Sequence, residues 1–199
     1  MNMLKLAQDV ERCQRNWKYT DIPQDHINEI VNVCTTMPTK NNISYYNLYI
    51  STDLDFNKAI YNISVDPHNK KTIKRNSQVN APLLLIWTTN NTVTDKLFQQ
   101  VDDPSIVDRD ISMSIGISSG SAALTAAKLG YKTGFCKCFK DQELSILLSS
   151  KFDYNNDQPY LMLGIGLPDN NYNRRDIIEN NKVIRTIDTN DKKIKTYQI

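Results

Sequence analysis

Residues 111–130 read "ISMSIGISSGSAALTAAKLG", a run crowded with glycine, serine and alanine. The run is long enough for about five helical turns, and Gly130 stands where a helix commonly ends with a left-handed glycine. Small side chains allow neighbouring backbones to approach closely. The segment therefore predicts a long, central helix that packs tightly against other elements.

Four apolar segments predict strands around this helix. Residues 81–87, "APLLLIW", form a continuous apolar run, which is typical of a strand covered on both faces. Residues 133–139, "TGFCKCF", and 159–168, "PYLMLGIGLP", predict two more, and Tyr45 to Ser51 predict a fourth.

Helical patterns account for much of the rest. Apolar residues recur at spacings of three and four over residues 3 to 16, and a second such stripe contains Ile27, Ile30, Val31 and Cys34. Residues 53 to 79 predict a helix and a loop that carries the charged run Lys70–Arg75. Because helices and strands do not alternate as strict βαβ units, we expect an α+β fold.

Composition excludes several classes of protein. The net charge is +2 with acids and bases interspersed, which argues against nucleic-acid binding. No apolar run approaches the length that spans a membrane. Four cysteines in 199 residues are too few for a disulfide scaffold. The amino terminus does not resemble a signal or transit peptide, so we expect a cytoplasmic protein.

Three short motifs fail to supply catalytic groups of their own. Residues 116–120 match G-x-S-x-G, but that motif needs a preceding strand and a later histidine, and both His26 and His68 come earlier. Gly164-Ile165-Gly166 lacks the third glycine of a dinucleotide site. Cys136 and Cys138 would lie on one face of a strand, too few ligands for zinc, so we expect structural cysteines and no metal. If the chain is an enzyme, a cofactor carries the chemistry.

The remaining candidates for a binding site are positively charged and amide side chains near the ends of predicted helices and strands. Arg12 and Arg15 follow the first helical pattern, Lys40 and Asn42 lie in a loop, and Arg174-Arg175 follow the last core strand. Two arginine clusters far apart in sequence suit a phosphate, because guanidinium groups bind phosphate oxygens through paired N–H donors.

Taken together and in this order, four blocks over residues 11–175 resemble the nitroreductase family of FMN flavoproteins. They are especially similar to the divergent members encoded by marine T4-like bacteriophages. The blocks are "ERCQRNW", "MPTKNN" with the strand behind it, "SGSAALTAAKLGYKTGFCKC" and "LMLGIGLPDNNYNRRD". The resemblance implies one domain over 1–199, with a central, mostly antiparallel sheet flanked by helices and FMN at a homodimer interface.

Carried over position by position, the resemblance implies a set of FMN contacts. Arg12, Cys13 and Arg174-Arg175 fall on phosphate-binding positions, and Arg15 falls on the cation near flavin N1 and O2. Asn42 falls on the amide that pairs with the pyrimidine edge, and 134–137 fall near N5 and O4. The expected FMN-binding residues are Arg12, Cys13, Gln14, Arg15, Pro38, Thr39, Lys40, Asn42, Gly134, Phe135, Cys136, Lys137, Arg174 and Arg175.

The sequence departs from the family pattern near the phosphate. Glu11 stands where the first family arginine usually is, and Cys13 stands where a serine binds phosphate. A register shifted by one residue, which pairs Arg12 with that arginine and Gln14 with the serine, stays open. Ser44-Tyr45-Tyr46 replaces the family's Gln-Pro-Trp.

The function that the resemblance implies is an FMN-dependent oxidoreductase without a catalytic side chain. It would take hydride from NADH or NADPH onto flavin N5 and pass electrons to a small acceptor: a nitroaromatic, a quinone or a flavin. Two alternatives stay open. One is a flavin-modifying or dehalogenating relative on the same scaffold, and the other is a degenerate FMN-binding module.

The chain also predicts a homodimer. Residues 113 to 129 are rich in small and apolar side chains, which suit a helix-to-helix interface. The tail has strand-like runs at Val183 to Ile187 and Ile194 to Ile199, with no obvious hairpin partner inside the domain. An unpaired strand needs a cover, so we expect the extension 176–199 to pack on the partner subunit.

Overall fold

The structure is a computed structural model that describes residues 2–64, 76–155, 157–179 and 182–186. The charged run Lys70–Arg75 and the strand-like run Ile194 to Ile199 lie outside these ranges. Single 3-10 turns occur at Lys40–Asn42 and Ser77–Val79. The helices and strands are α1 (Met3–Val10), β1 (Trp17–Lys18), α2 (Gln24–Thr36), β2 (Tyr46–Ser51), α3 (Leu54–Ile63), β3 (Leu83–Thr89), α4 (Asn91–Phe98), α5 (Ser105–Lys128), β4 (Lys132–Cys136), α6 (Asp141–Lys151), β5 (Pro159–Pro168), β6 (Asp176–Glu179) and β7 (Lys182–Thr186).

An antiparallel sheet forms the centre of the molecule. β5 pairs with β3, β4 and β1, and β2 pairs with the other edge of β3. Every residue of β3 is buried, which confirms the strand covered on both faces. The α+β class and the antiparallel sheet flanked by helices are confirmed.

The sheet separates two apolar cores. Leu83, Leu85 and Trp87 of β3 face the core that α2 and α5 cover. Leu84 and Ile86 face the opposite core, which α3 and α6 cover. The period of two along a strand thus places alternate residues of one apolar run in different cores.

α5 confirms the central helix that the small-residue run predicts. Gly130 has φ +91° and follows the helix, where the Tyr131 N–H donates to the Ala126 carbonyl at 2.9 Å and closes the last turn. Inside the helix, the Ser118 hydroxyl accepts a hydrogen bond from the indole N–H of Trp87 and donates one to the Cys34 carbonyl, each at 3.0 Å. The G-x-S-x-G match therefore lies within a helix, which confirms that it is no nucleophile elbow.

α1 is shorter than its sequence pattern predicts. The apolar spacing predicts a helix over residues 3 to 16, whereas α1 ends at Val10. Gln14 and Asn16 are buried and bond to groups far along the chain. Those long-range bonds outweigh the local helical pattern.

β4 ends earlier than predicted. The sequence predicts a strand to residue 139, but the strand stops at Cys136. The Cys138 N–H donates to Cys136 Sγ at 3.4 Å, a contact within the chain and not a ladder bond. The prediction that both thiols lie on one face of a strand is therefore wrong.

The start of the tail has a hairpin partner, contrary to the sequence prediction. β6 and β7 pair antiparallel, with Ile178 opposite Val183. Val183 and Ile184 are exposed on this hairpin. The reason is that β6, which the sequence pattern did not indicate, supplies the partner strand within the same chain.

Candidate functional site

The segment between α1 and β1 runs beside β4. The Gln14 N–H donates to the Thr133 carbonyl at 2.8 Å, and Cys13 Sγ lies 3.7 Å from the Phe135 carbonyl oxygen, to which it donates. Gly134 permits this approach, because a Cβ there would lie 2.5 Å from the Gln14 carbonyl oxygen. Glycine at this position therefore places Arg12 and Arg15 against the strand.

The loop after β5 reaches the same place from the other end of the chain. The Asn16 side-chain amide donates to the Asn173 carbonyl at 2.5 Å, and the Asp169 N–H donates to the Asn16 carbonyl at 3.0 Å. Arg174 Nη2 donates to the Asp9 carbonyl at 3.4 Å. These bonds bring the two arginine pairs of the sequence together.

The four arginines act on one another electrostatically. Burial lowers the pKa of Arg15 most, and the charge of Arg175 lowers it further. Burial likewise lowers the pKa of Arg174, with added repulsion from Arg12 and Arg175. Such mutual repulsion favours a bound anion, which would offset the positive charge.

None of these four arginines forms a close ion pair with a carboxylate in the described part of the chain. Asp9 raises the pKa of Arg174 through its charge, but its carboxylate is held by Lys132 at 2.6 Å. The Nε atoms of Arg15 and Arg174 are buried and have no hydrogen-bond partner among the described residues. Buried donors are normally paired, so the geometry fits an anion with several oxygens.

Gln78 also belongs to the site, although no motif in the sequence marks it. Its side-chain amide donates to the Phe135 carbonyl at 3.4 Å, and its Cβ lies 2.9 Å from where a Gly134 Cβ would be. Gln78 Oε1 and Thr133 Oγ1 are buried without a partner in the described ranges. Both are polar atoms beside β4 that a ligand can satisfy.

A groove opens next to the arginines, between α1, α5 and β4. Its volume is about 660 Å³, within the range of roughly 300–1,000 Å³ that small-molecule sites occupy. Its wall is largely apolar, and Glu11 supplies a carboxylate. The lining residues are Ala7, Gln8, Val10, Glu11, Gly120, Ala123, Leu124 and Phe135.

The loop 38–42 lies elsewhere in the chain. Lys40 Nζ is 2.8 Å from Asp110 Oδ2, and Asn41 and Asn42 adopt positive φ angles of 55° and 57°. Asp110 and the groove residues 120–124 are ten or more residues apart on α5, or about 15–20 Å along its axis. Of the expected FMN residues, Pro38, Thr39, Lys40 and Asn42 share this loop, and Asp110 holds Lys40 away from the groove. The loop begins after Met37, whose sulfur accepts a hydrogen bond from the Ser121 hydroxyl at 3.0 Å.

Lys137 turns away from the arginines towards α5. Its Nζ lies 4.2 Å from the centre of the Tyr160 ring, and the Tyr160 hydroxyl bonds to the Ser112 hydroxyl. Lys137 therefore lies at the level of Ser112 along the helix. The expected residues Gly134, Phe135 and Cys136 lie on β4 itself, against Gln14 and Cys13.

The described ranges contain neither a candidate metal site nor a membrane-spanning helix. No group of three or more histidine, cysteine, aspartate or glutamate side chains could hold a metal ion there. None of the helices in those ranges is long and apolar enough to cross a bilayer.

The chain matches solved structures by fold, but it matches no protein-family model and no curated protein by sequence. A nitroreductase family protein from Clostridium novyi NT superposes with a TM-score of 0.67 at 15% identity, over 88% of this chain and 90% of its own. A putative NAD(P)H:FMN oxidoreductase from Staphylococcus epidermidis gives 0.63 at 12% identity, over 84% and 87%.

A third solved structure contains a ligand. It is a putative nitroreductase in complex with FMN from Exiguobacterium sibiricum, with a TM-score of 0.66 and 14% identity over 84% of this chain and 89% of its own. Identities this low establish architecture and not activity. The chain therefore has the fold of the nitroreductase family proteins.

Proposed function

We propose that the chain binds FMN and acts as an NAD(P)H-dependent flavin oxidoreductase. One observation carries the proposal: Arg12, Arg15, Arg174 and Arg175 converge from two distant parts of the sequence and form no ion pair with a carboxylate in the described part of the chain. The FMN in one structural neighbour of the same fold supports the choice of ligand.

The donor set fits a terminal phosphate. Guanidinium groups bind phosphate oxygens with directional, charge-assisted bonds, and the unpaired Nε atoms of Arg15 and Arg174 require such acceptors. Arg12, Arg174 and Arg175 would hold the phosphate. FMN ends in this group, and the sequence lacks the glycine fingerprint of a dinucleotide site.

The remaining groups along β4 suit a planar polar ring. Arg15 lies in the segment that runs beside β4, and it would stabilise negative charge on the ring. Gln78 Oε1 and Thr133 Oγ1, beside the same strand, have no hydrogen-bond partner among the residues that the structure describes. When bound, FMN would supply hydride transfer from NADH or NADPH to a nitroaromatic, quinone or flavin acceptor. The side chains would bind and orient it and exclude water.

A second copy of the chain would complete the site. Asp110 holds Lys40 of the loop 38–42 at a distance from the groove within one chain, so we propose that the partner subunit's loop approaches the flavin across a homodimer interface. On α5, Met113 and Ile117 are 49% and 39% exposed. They lie on one face with Gly116 and Gly120, and we call these four residues the α5 stripe. An exposed apolar stripe of this kind suits an interface.

A catalytically degenerate FMN-binding module is the second candidate. Cys13 favours it, because its thiol donates to the Phe135 carbonyl and is a weak donor for phosphate. A module of this kind would bind FMN yet oxidise NADH and NADPH no faster than free FMN does.

The test begins with the purified protein. Heat releases any bound cofactor, and mass spectrometry identifies it; we expect FMN. Oxidation of NADH and of NADPH is then followed with and without a nitroaromatic or quinone. Released FAD, or no flavin after reconstitution, would contradict FMN binding. Bound FMN without NAD(P)H oxidation would support the degenerate module.

A further inference from the structure

Three cysteines act electrostatically on the half-buried Arg15, and the proposed function uses none of their thiol chemistry. Cys136 ends β4 and is buried, whereas Cys13 and Cys138 are half-buried. The charge on each of these thiols, once ionised, raises the pKa of Arg15, which burial lowers. All three sulfur atoms therefore lie within electrostatic reach of one cation.

Cys136 and Cys138 are in direct contact. The Cys138 N–H donates to Cys136 Sγ at 3.4 Å, just after the end of the strand. A hydrogen bond between the two thiols is the largest cause of the raised pKa of Cys136, followed by its burial. Cys13 makes a different contact, with the Phe135 carbonyl.

This contact is compatible with a disulfide. A disulfide joins residues whose Cα atoms are about 4.4–6.8 Å apart. Two residues separated by one other reach at most about 7 Å when extended. This spacing and the contact between the two side chains permit the bond.

We propose that Cys136 and Cys138 form a redox-active dithiol that exchanges with small-molecule disulfides. The Cys138 thiol loses its proton and attacks one sulfur of R–S–S–R; a mixed disulfide forms, and the first R–S⁻ leaves and takes up a proton. Cys136 then loses its proton and attacks the Cys138 sulfur, which releases the second R–S⁻. The cysteine pair is oxidised by two electrons, and the small disulfide is reduced to two thiols.

The order of attack follows from burial. Half-buried Cys138 is accessible to the small disulfide, whereas buried Cys136 is shielded and ionises less readily, because its pKa is raised. Cys136 therefore acts second, on a sulfur atom it already contacts. Cys34 serves as a comparison, since it is buried in the other part of the core, on α2.

The protein, as purified, is incubated with glutathione disulfide. The reaction is then quenched with acid, the remaining thiols are alkylated, and the protein is digested with trypsin. Lysine and arginine positions place the four cysteines on four different tryptic peptides. Cys136 lies in "TGFCK" (133–137), Cys138 in "CFK" (138–140) and Cys13 in "CQR" (13–15). We expect the 133–137 and 138–140 peptides joined by a disulfide.

Two variants and one condition make the result specific. Cys34→Ala should give the same joined peptides. Cys138→Ser should give none, and Cys136 should take up glutathione at least tenfold more slowly than the wild type closes its disulfide. Glutathione adducts without the joined pair, or a joined pair that forms equally fast in urea, would overturn the proposal. Equally fast formation in urea would mean that the contact between Cys136 and Cys138 in the folded protein does not accelerate disulfide formation.

Discussion

The backbone N–H of Gln14 donates a hydrogen bond to the carbonyl oxygen of Thr133 at 2.8 Å. This bond fixes the segment after α1 against β4, and Arg12 and Arg15 come with it. Asn16 in the same segment binds the Asn173 carbonyl, next to Arg174 and Arg175. The proposed anion site is therefore built on backbone contacts that unite the two ends of the chain.

Gly134→Ala tests this arrangement. The new Cβ would lie 2.5 Å from the Gln14 carbonyl oxygen, so the segment must move away from β4. We expect a loss of roughly 1–3 kcal/mol in the free energy of unfolding, measured by denaturant titration, and weaker FMN binding. Thr133→Val is the matched control on the same strand. Its hydroxyl is buried without a partner among the described residues, so its removal should cost nothing in stability. Equal stability of both variants and the wild type would contradict the close approach.

Ile117→Asp tests the homodimer. A charge in the centre of the α5 stripe would be buried without a partner in the proposed interface, and we expect the variant to elute as a monomer in size exclusion with light scattering. Ile146→Asp is the control, because Ile146 is a helical residue that is 62% exposed and lies on α6, away from the stripe. A wild-type monomer, or an Ile117→Asp dimer as stable as the wild type, would argue against this interface.

Cys34→Ala tests a burial effect at alkaline pH. Burial raises the pKa of the Cys34 thiol from 9.0 to about 11. A thiol with a raised folded-state pKa contributes stability that is present below pH 9 and lost as pH rises towards 11, since only the unfolded chain ionises there. Up to about 2.7 kcal/mol is lost over this window. We expect the variant to lose less stability than the wild type between pH 8.5 and 11 in urea titrations; parallel curves would contradict the shift.

Elements with strong local patterns were predictable from the sequence. The small-residue helix, its end at Gly130 and the buried strand of residues 81–87 all depend on short-range spacing, and the structure confirms them. The end of α1 was not predictable in this way. Gln14 and Asn16 fit a helical pattern locally, but their partners Thr133 and Asn173 are far along the chain.

The candidate site was predictable only in part. Arginine pairs beside element ends indicated an anion, and the structure brings Arg12, Arg15, Arg174 and Arg175 together. Gln78 reaches the candidate site because the single 3-10 turn that contains it packs on Gly134. No local sequence pattern marks such a residue. The FMN roles of individual residues, the partner subunit and the packing of 176–199 stay predictions.

FMN affinity in arginine variants tests the central claim most directly. Apoprotein is titrated into FMN and the quenching of flavin fluorescence is followed for Arg12→Ala, for the double variant Arg174→Ala/Arg175→Ala, and for Lys58→Ala. Lys58 is an exposed lysine on α3, which covers the opposite core, so it controls for the loss of one positive charge. Charge-assisted bonds to phosphate contribute about 1.5–3 kcal/mol each. Arg12→Ala should therefore weaken FMN binding by about ten- to a hundredfold, the double variant should weaken it further, and Lys58→Ala should leave it unchanged. Equal FMN affinity in all three variants and the wild type would contradict an FMN phosphate held by these arginines.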